Sequence, residues 1–528
     1  MKRILFFAAV FFAANHSIAQ KKDPVAYARM VNAEGLKKHL TIIAADDMEG
    51  RETGTAGQRK AAAYIEDQFK KIGLSKPWKM DGYQQFFPLY KDSVAQMELM
   101  INGEAAKNGA DFLIPISSNE SSNSKATQLV FAGYGIEDAA YNDYAGLDVK
   151  GKWILLFMGE PKKEGKYFIG SDGKSSRWTS EGLTLKIDLA ARKGAAGVFV
   201  INPSMETFSQ RMIDGNRKSN VYYPRDNAAM KKLSYAMLSH SYVRKIMGEA
   251  FGETIKKAKA GETLTTAASA TDLSIVYNFS KIRETINASN VLGVIEGTDK
   301  KDEYVFLTAH YDHLGIRDGK IYNGADDDGS GTVAVIQMAE AFMKAKKEGN
   351  GPRRTLVFMT VSGEEKGLWG SEYYSDNPVY PLEKTTVDLN TDMIGRVDTE
   401  RKTDDTLNYV YVVGHDKISS ELPLVNEKAN KDYTGLVLDY KFDDPEDPNR
   451  IYFRSDHYNF ARKGVPVLFF YDGMLRADYH KPTDDIEFIN WPLFEKRAQM
   501  IFLYCLGNGQ QRRICWCVTN PSPLQHAD

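Results

Sequence analysis

The chain has 528 residues, of which 43% are hydrophobic and 26% charged, with a formal net charge of −2. At ~150 residues per domain this allows two to four domains. The balance is that of an ordinary globular protein and gives no electrostatic case for binding nucleic acid or an anionic membrane.

In chain order, Lys2-Arg3, the apolar run 4–14 and the small residues around Ala19 predict a secretory signal peptide over residues 1–19. The run is too short to span a bilayer, and no later stretch of ~20 uncharged apolar residues follows. The mature chain is therefore expected to be soluble and exported, to the periplasm or outside the cell, without stable membrane insertion. All three cysteines, Cys505, Cys515 and Cys517, sit near the C-terminus, so the fold is expected to rest on its core rather than on disulfides. Residues 508–528 read as an atypical tail without periodicity, as a reading-frame change would produce.

Helical apolar spacing covers residues 33–40 and 56–72, separated by the polar, Gly-rich DDMEGRETGTAG, with Gly73 as a stop. Strand-like runs follow at 83–89 and 95–101. Residues 20–102 read as the first part of the main domain. From 103 to 271 short β runs and polar loops predominate without any metal-ligand or nucleophile cluster, which predicts an inserted β-rich domain. Residues 272–507 then alternate candidate strands (291–295, 305–309, 354–361, 385–392, 409–413, 465–470) with helices near 332–346, 369–377, 417–431 and 455–463. This is an α/β pattern: a mixed, mainly parallel sheet with helices on both faces. Such sheets bind ligands beyond the carboxyl ends of their strands.

The chemistry falls in that position. His310 ends a strand run, Asp327 lies in an acidic turn before a helix, Glu364-Glu365 follow the run ending at Val361, Asp392 ends another, and His480 follows the last. Each has a plain reading alone: a surface histidine, a solvated glutamate pair, a helix cap. Together, imidazoles and carboxylates without thiolates suit zinc or a related ion. A single catalytic zinc takes about three protein ligands, so five candidates predict two ions, leaving one glutamate of the pair as a general base.

The stretches TAHYDHLG, GADDDGSG, SGEEKGLWGS, NTDMIG, FRSDHYNF and YHKPTDD, in this order, resemble the co-catalytic zinc aminopeptidase family, metallopeptidase family twenty-eight, of aminopeptidase Y/S-like type. VFAGYGI, DYAGLDVKGKWILLFMGEP and ARKGAAGVFV resemble a protease-associated (PA) domain. The resemblance implies a zinc exopeptidase fold with a PA-like insertion at 103–271 and two Zn2+ per chain. It assigns His310 and Asp392 to one ion, Glu365 and His480 to the other, and Asp327 to both. Glu364 becomes the general base acting on a metal-bridging water, Asp312 the carboxylate that orients His310, Tyr479 an oxyanion-stabilising residue and Arg454 a substrate-anchoring one. It also implies a cis peptide at Asp327-Asp328. His313 and His457 stay outside the ligand set, in supporting or structural roles. The expected activity is removal of N-terminal residues from peptide substrates. Carboxypeptidase or dipeptidase action on the same fold, glutaminyl cyclisation, and non-catalytic peptide binding are the alternatives. Any protein partner of the PA-like domain is unknown.

Overall fold

A computed structural model describes residues 23–225, 233–266 and 270–510. The predicted signal peptide and the tail residues Cys515 and Cys517 lie outside them. Among the described residues no helix is long and apolar enough to cross a membrane.

Two compact units form, one from residues through Phe87 together with those from Asn287 onward, the other Pro88–Ile286. The sequence reading put these boundaries at 102/103 and 271/272. The division falls instead inside two continuous strands, Gln84–Ile101 and Thr271–Ile295.

The first unit is built on β1 (Thr271–Ile295, through its last residues), β2 (Lys300–His310), β3 (Arg354–Val361), β4 (Thr385–Thr391), β5 (Tyr409–Val413), β6 (Val437–Asp439) and β7 (Val467–Tyr471). Their order is β6-β5-β7-β4-β2-β3-β1. β2 is parallel to β3 and β4, β4 to β7, and β5 to β6; β5 against β7 and β1 against β3 are antiparallel. Every residue of β3 and β4 is buried, so their unbroken apolar and β-branched runs meet cover on both sides.

Register shows what covers each face. Phe306 of β2 is paired with Val357, and its neighbour Leu307 with Phe358, so Phe306 and Phe358 point to opposite faces. Phe306 packs on Tyr374 and Phe460, from helices Trp369–Asp376 and His457–Ala461, at ring separations of 5.5 and 5.4 Å. Phe358 lies 6.2 Å from Phe342 of helix Gly331–Lys347, itself 4.2 Å from Phe502 of helix Trp491–Gln510. Each such buried aromatic contributes roughly 1.5–3 kcal/mol of transfer free energy. Helices Ala33–Ile43 and Ala56–Ile72 complete the unit. The second is capped as its sequence predicts, with the Thr55 side chain accepting from the Gln58 amide and Gly73 closing it at φ +92°.

Two elements lie outside the sequence reading. β6 has three residues, too few for a pattern. Helix Trp491–Gln510 has buried apolar residues in an unbroken run, Met500 to Cys505, and so lacks an amphipathic stripe. Cys505 is buried in this helix, and the stretch from it to Gln510 is helical rather than irregular.

The second unit holds both strands and helices. Strands Ser122–Phe131, Trp153–Phe157, Gly197–Ile201 and Tyr235–Leu238 pair in that order, all parallel. Helices Gly182–Arg192, His240–Met247 and Phe251–Ala260 accompany them. Trp153 sits 4.4 Å from Phe199 and 5.2 Å from Tyr277. A Cβ on Gly197 would lie 2.5 Å from its ring, so that strand must start with glycine. Lys186 is fully buried, its ammonium donating to the carbonyls of Tyr134, Phe157 and Gly159 at 2.6, 3.3 and 2.5 Å. Burial pulls its pKa down to about 7, against the raising effect of Asp143 and Glu160.

The unfolded state therefore binds more protons than the folded one between about pH 7 and the ordinary lysine range, and stability is lost as pH falls through that window. The opening free energy of the Trp153–Phe157 amides, read by hydrogen exchange, is expected to rise from pH 7 to pH 10 in the wild type. In Lys186→Met the slope should flatten; equal slopes would refute the assignment.

Candidate metal centre

The parallel strands bring their carboxyl ends to one edge of the sheet, where the sequence places its ionisable residues. His310 is the last residue of β2, paired with Val361 at the end of β3. Glu364 and Glu365 lie in the short turn that follows β3, and Asp392 directly follows β4. Tyr479 and His480 come from the segment after β7.

A buried cation ties together loops around this edge. Arg51, from the DDMEGRETGTAG loop, is fully buried and donates to the carbonyls of Tyr311 (2.7 Å), Ile43 (2.7 Å), Asn323 (2.6 Å) and Gly324 (2.9 Å). Burial draws its pKa down to about 10, against the raising effect of Asp484, Asp312, Asp327 and Asp328, so it stays charged at neutral pH.

The acidic turn divides its three carboxylates by their partners. Asp326 accepts from the Gly395 amide at 2.8 Å. Asp328 accepts from Gly331 (2.8 Å), Met393 (3.0 Å) and His310 (3.1 Å) amides. The amides of Asp326 and Asp327 are in turn held by the Asp484 carboxylate at 3.0 Å each. A Cβ on Gly331 would fall 2.5 Å from the Asp328 carboxylate, so the helix that follows starts with glycine. The Asp327-Asp328 peptide is cis. Only the Asp327 carboxylate is left to face the imidazoles.

It does so with both oxygens. Oδ1 lies 3.3 Å from His310 Nε2, which is 3.6 Å from Asp392 Oδ1. Oδ2 lies 3.3 Å from His480 Nε2, which is 2.9 Å from Glu365 Oε2. Two ligands of one tetrahedral zinc-like ion, at ~2.0–2.1 Å from it, stand roughly 3.3 Å apart. Two such triads sharing Asp327 are what these distances describe. Glu364 Oε2 is farthest from His310 Nε2, at 3.8 Å. Among the described residues, ligand atoms of His310, Glu364 and Asp392 lie within 4.8 Å of one another, as do those of His313, Asp327 and Glu365.

The residues fit a cation on two further grounds. His310 Nε2, Asp327 Oδ2 and Glu365 Oε1 are buried without a hydrogen-bond partner, which costs free energy unless something binds them. The field is strongly negative as well. For His480, burial is outweighed by Asp327 and Glu365, and the pKa rises to about 10. For His310, burial is outweighed by Glu364, Asp392 and Asp327, again well upward. The carboxylates thus draw positive charge onto the rings, which a metal ion would supply in place of those protons.

The neighbouring residues refine the sequence reading. The Ser455 hydroxyl donates to Asp392 Oδ2 at 2.6 Å. His310 Nδ1 is 3.1 Å from the backbone carbonyl of Asp312 and 3.8 Å from its carboxylate. That carboxylate is occupied by the Thr53 hydroxyl at 2.6 Å and the Glu364 amide at 3.3 Å, so Asp312 meets the ring through its main chain and the next loops through its side chain. Glu364 is pushed well upward in pKa, first by burial, then by Asp392, Glu365 and Asp456 against His310. Arg454 Nη2 donates to the Tyr479 hydroxyl at 2.9 Å, and the Tyr479 ring stacks on His480 at 3.9 Å. His457 is a core residue, stacked on Phe469 at 4.7 Å and drawn down to about 3 by burial. A cavity opens on the site, lined by Asp327, Glu364, Asp392, Arg454 and Tyr479 together with the apolar Ile451, Phe469 and Leu475.

Sequence reasoning missed the roles of Arg51, Thr53, Ser455 and Asp484. A lone arginine inside a Gly-rich, acidic loop is the signal that could have marked Arg51. Replacing it with Met would orphan its carbonyl acceptors and leave the site's acids without this counter-charge. Arg51→Met is expected to cost ~3–5 kcal/mol in denaturant unfolding, and a midpoint equal to wild type would contradict its role.

Residues 290–505 match the profile of Peptidase family M28. A probable glutamate carboxypeptidase of Arabidopsis thaliana is 38% identical over 120 residues, 22% of this chain and 17% of that protein. A probable leucine aminopeptidase of Arthroderma otae is 25% identical over 227 residues, 42% of this chain and 58% of that protein. Among solved structures, an aminopeptidase from Aneurinibacillus sp. strain AM-1 aligns over 92% of this chain and 95% of its own, at 18% identity and a TM-score of 0.48. The chain spans about a sixth of the length of the first of these relatives. The metal-shaped edge of the sheet lies inside the segment, residues 290–505, that matches Peptidase family M28.

Proposed function

We propose that this chain is a zinc-dependent aminopeptidase that holds two zinc ions, one by His310, Asp392 and Asp327, the other by Glu365, His480 and Asp327. The observation that carries the reading is the pair of imidazole–carboxylate triads that share the two oxygens of Asp327. The names of relatives agree with it: one is called a leucine aminopeptidase and another a zinc metalloprotease. When bound, the ions lower the pKa of water and polarise a carbonyl oxygen.

The chain's own groups supply the rest. Glu364 lines the cavity and makes no close pair with an imidazole. It takes a proton from the attacking water and returns it to the leaving amine. Arg454 donates to the Tyr479 oxygen, which leaves the hydroxyl proton free to donate to the carbonyl oxygen as negative charge develops there. The cavity's carboxylates attract a free α-amine, and Ile451, Phe469 and Leu475 offer an apolar side chain a dry wall.

Arg454 also supports a second reading. It is a cation on the cavity lining, and it would equally anchor a substrate carboxylate, as a carboxypeptidase or dipeptidase requires. Export rests on the N-terminal residues Lys2-Arg3 and the apolar run after them. The motifs VFAGYGI and ARKGAAGVFV support a PA-like insertion within Pro88–Ile286.

Two outcomes test this function. Glu364→Gln is expected to keep both zinc ions by elemental analysis while turnover falls ~10²–10⁴-fold; near-wild-type turnover would remove Glu364 from the mechanism. Aminoacyl-anilides should be cleaved and N-blocked dipeptides spared, and the opposite pattern selects the carboxypeptidase reading.

A further inference from the structure

Glu365 is approached from two sides. Its Oε2 lies 2.9 Å from His480 Nε2 and faces the shared Asp327, while its Oε1 lies 2.7 Å from His313 Nδ1. Oε1 and both His313 ring nitrogens are buried and none has a hydrogen-bond partner of good geometry, so the 2.7 Å pair is a close approach rather than an aligned bond. Beyond Glu365, the nearest acid recorded at His313 is Asp327, whose Oδ2 is 3.9 Å from Nδ1 and out of hydrogen-bond range.

The 2.7 Å separation falls in the range of an N–H donating to a carboxylate, ~2.7–2.9 Å. The ring is also confined. His313 is fully buried, its amide lies 3.4 Å from the Arg51 carbonyl, and a Cβ at Gly324 would fall 2.5 Å from its ring carbons. Arg51 holds the Gly324 carbonyl from the other side at 2.9 Å. A ring so packed cannot turn its Nδ1 away from Glu365.

We propose that His313 is a positioning residue: its Nδ1–H donates to Glu365 Oε1 and so fixes Oε2 toward Asp327 and His480. This rests on the reading that Glu365 holds a zinc ion. It extends a pattern in which three of the four outer ligands have a holder, Asp392 by Ser455, His310 by the Asp312 carbonyl and Glu365 by His313. His480 is the most exposed of the five, with 38% of its side chain accessible, so the second position depends most on Glu365 being held.

The test is zinc binding to the full chain in zinc-buffered solution, with melting of the zinc-free forms as a check on folding. Wild type should hold two ions. His313→Leu should bind one of them ~10–100-fold more weakly and the other unchanged. A second pair guards against a folding defect: His313→Asn keeps an amide donor where Nδ1 stands and should retain both ions, whereas His313→Gln moves it one bond further and should weaken one. Both ions held as in wild type by His313→Leu and His313→Gln, or equal loss from both sites, or no difference between Asn and Gln, overturns the role of His313. Fewer than two ions in the wild type would instead overturn the two-zinc reading itself.

Discussion

The carboxyl edge of the sheet is governed by an excess of buried negative charge. Asp312, Asp326, Asp327, Asp328, Asp392, Asp456, Asp472 and Asp484 are all buried there, with Glu364 and Glu365 beside them. Buried charges persist only when paired or hydrogen-bonded. The chain meets this for most of them with backbone amides, hydroxyls and two buried arginines, Arg51 and Arg497. What remains unbalanced is Asp327, Glu364, Glu365 and Asp392, and the remaining demand for positive charge falls on His310 and His480. The proposed zinc ions belong at that residual imbalance.

The fold produces this edge by topology. Three neighbouring parallel strands end together, and each hands over directly to a loop that carries an acid or an imidazole. Because the strands are buried on both faces they are rigid, so the ligand-bearing residues at their ends inherit fixed positions. Arg51 adds the cross-brace. It ties the loop after β2 to the turn before the acidic residues through carbonyls alone, and so does not compete for the carboxylates.

Much of this was legible because the informative signals were local. A β-branched run that stops at His310, or a Glu-Glu pair just past Val361, shows both the strand and the chemistry at its end. Asp326, Asp327 and Asp328 could not be separated by pattern, since their difference is which backbone amides each accepts. His310 and His313 follow the same strand three residues apart, and only packing makes one face Asp327 and Asp392 while the other meets Glu365 from behind. Arg51 acts on a carbonyl 260 residues away, a distance over which no periodicity carries information. The same holds for Ser455, which reaches Asp392 across 63 residues.

The central claim is that two cations flank Asp327. Crystals of the purified full chain, measured on both sides of the zinc absorption edge, test it directly. The account predicts two anomalous peaks ~3.5–4 Å apart, one bounded by His310 and Asp392, the other by Glu365 and His480, with His313 in contact with Glu365 and with neither ion. A single peak, no peak, or a peak ligated by His313 with His480 turned outward would contradict it.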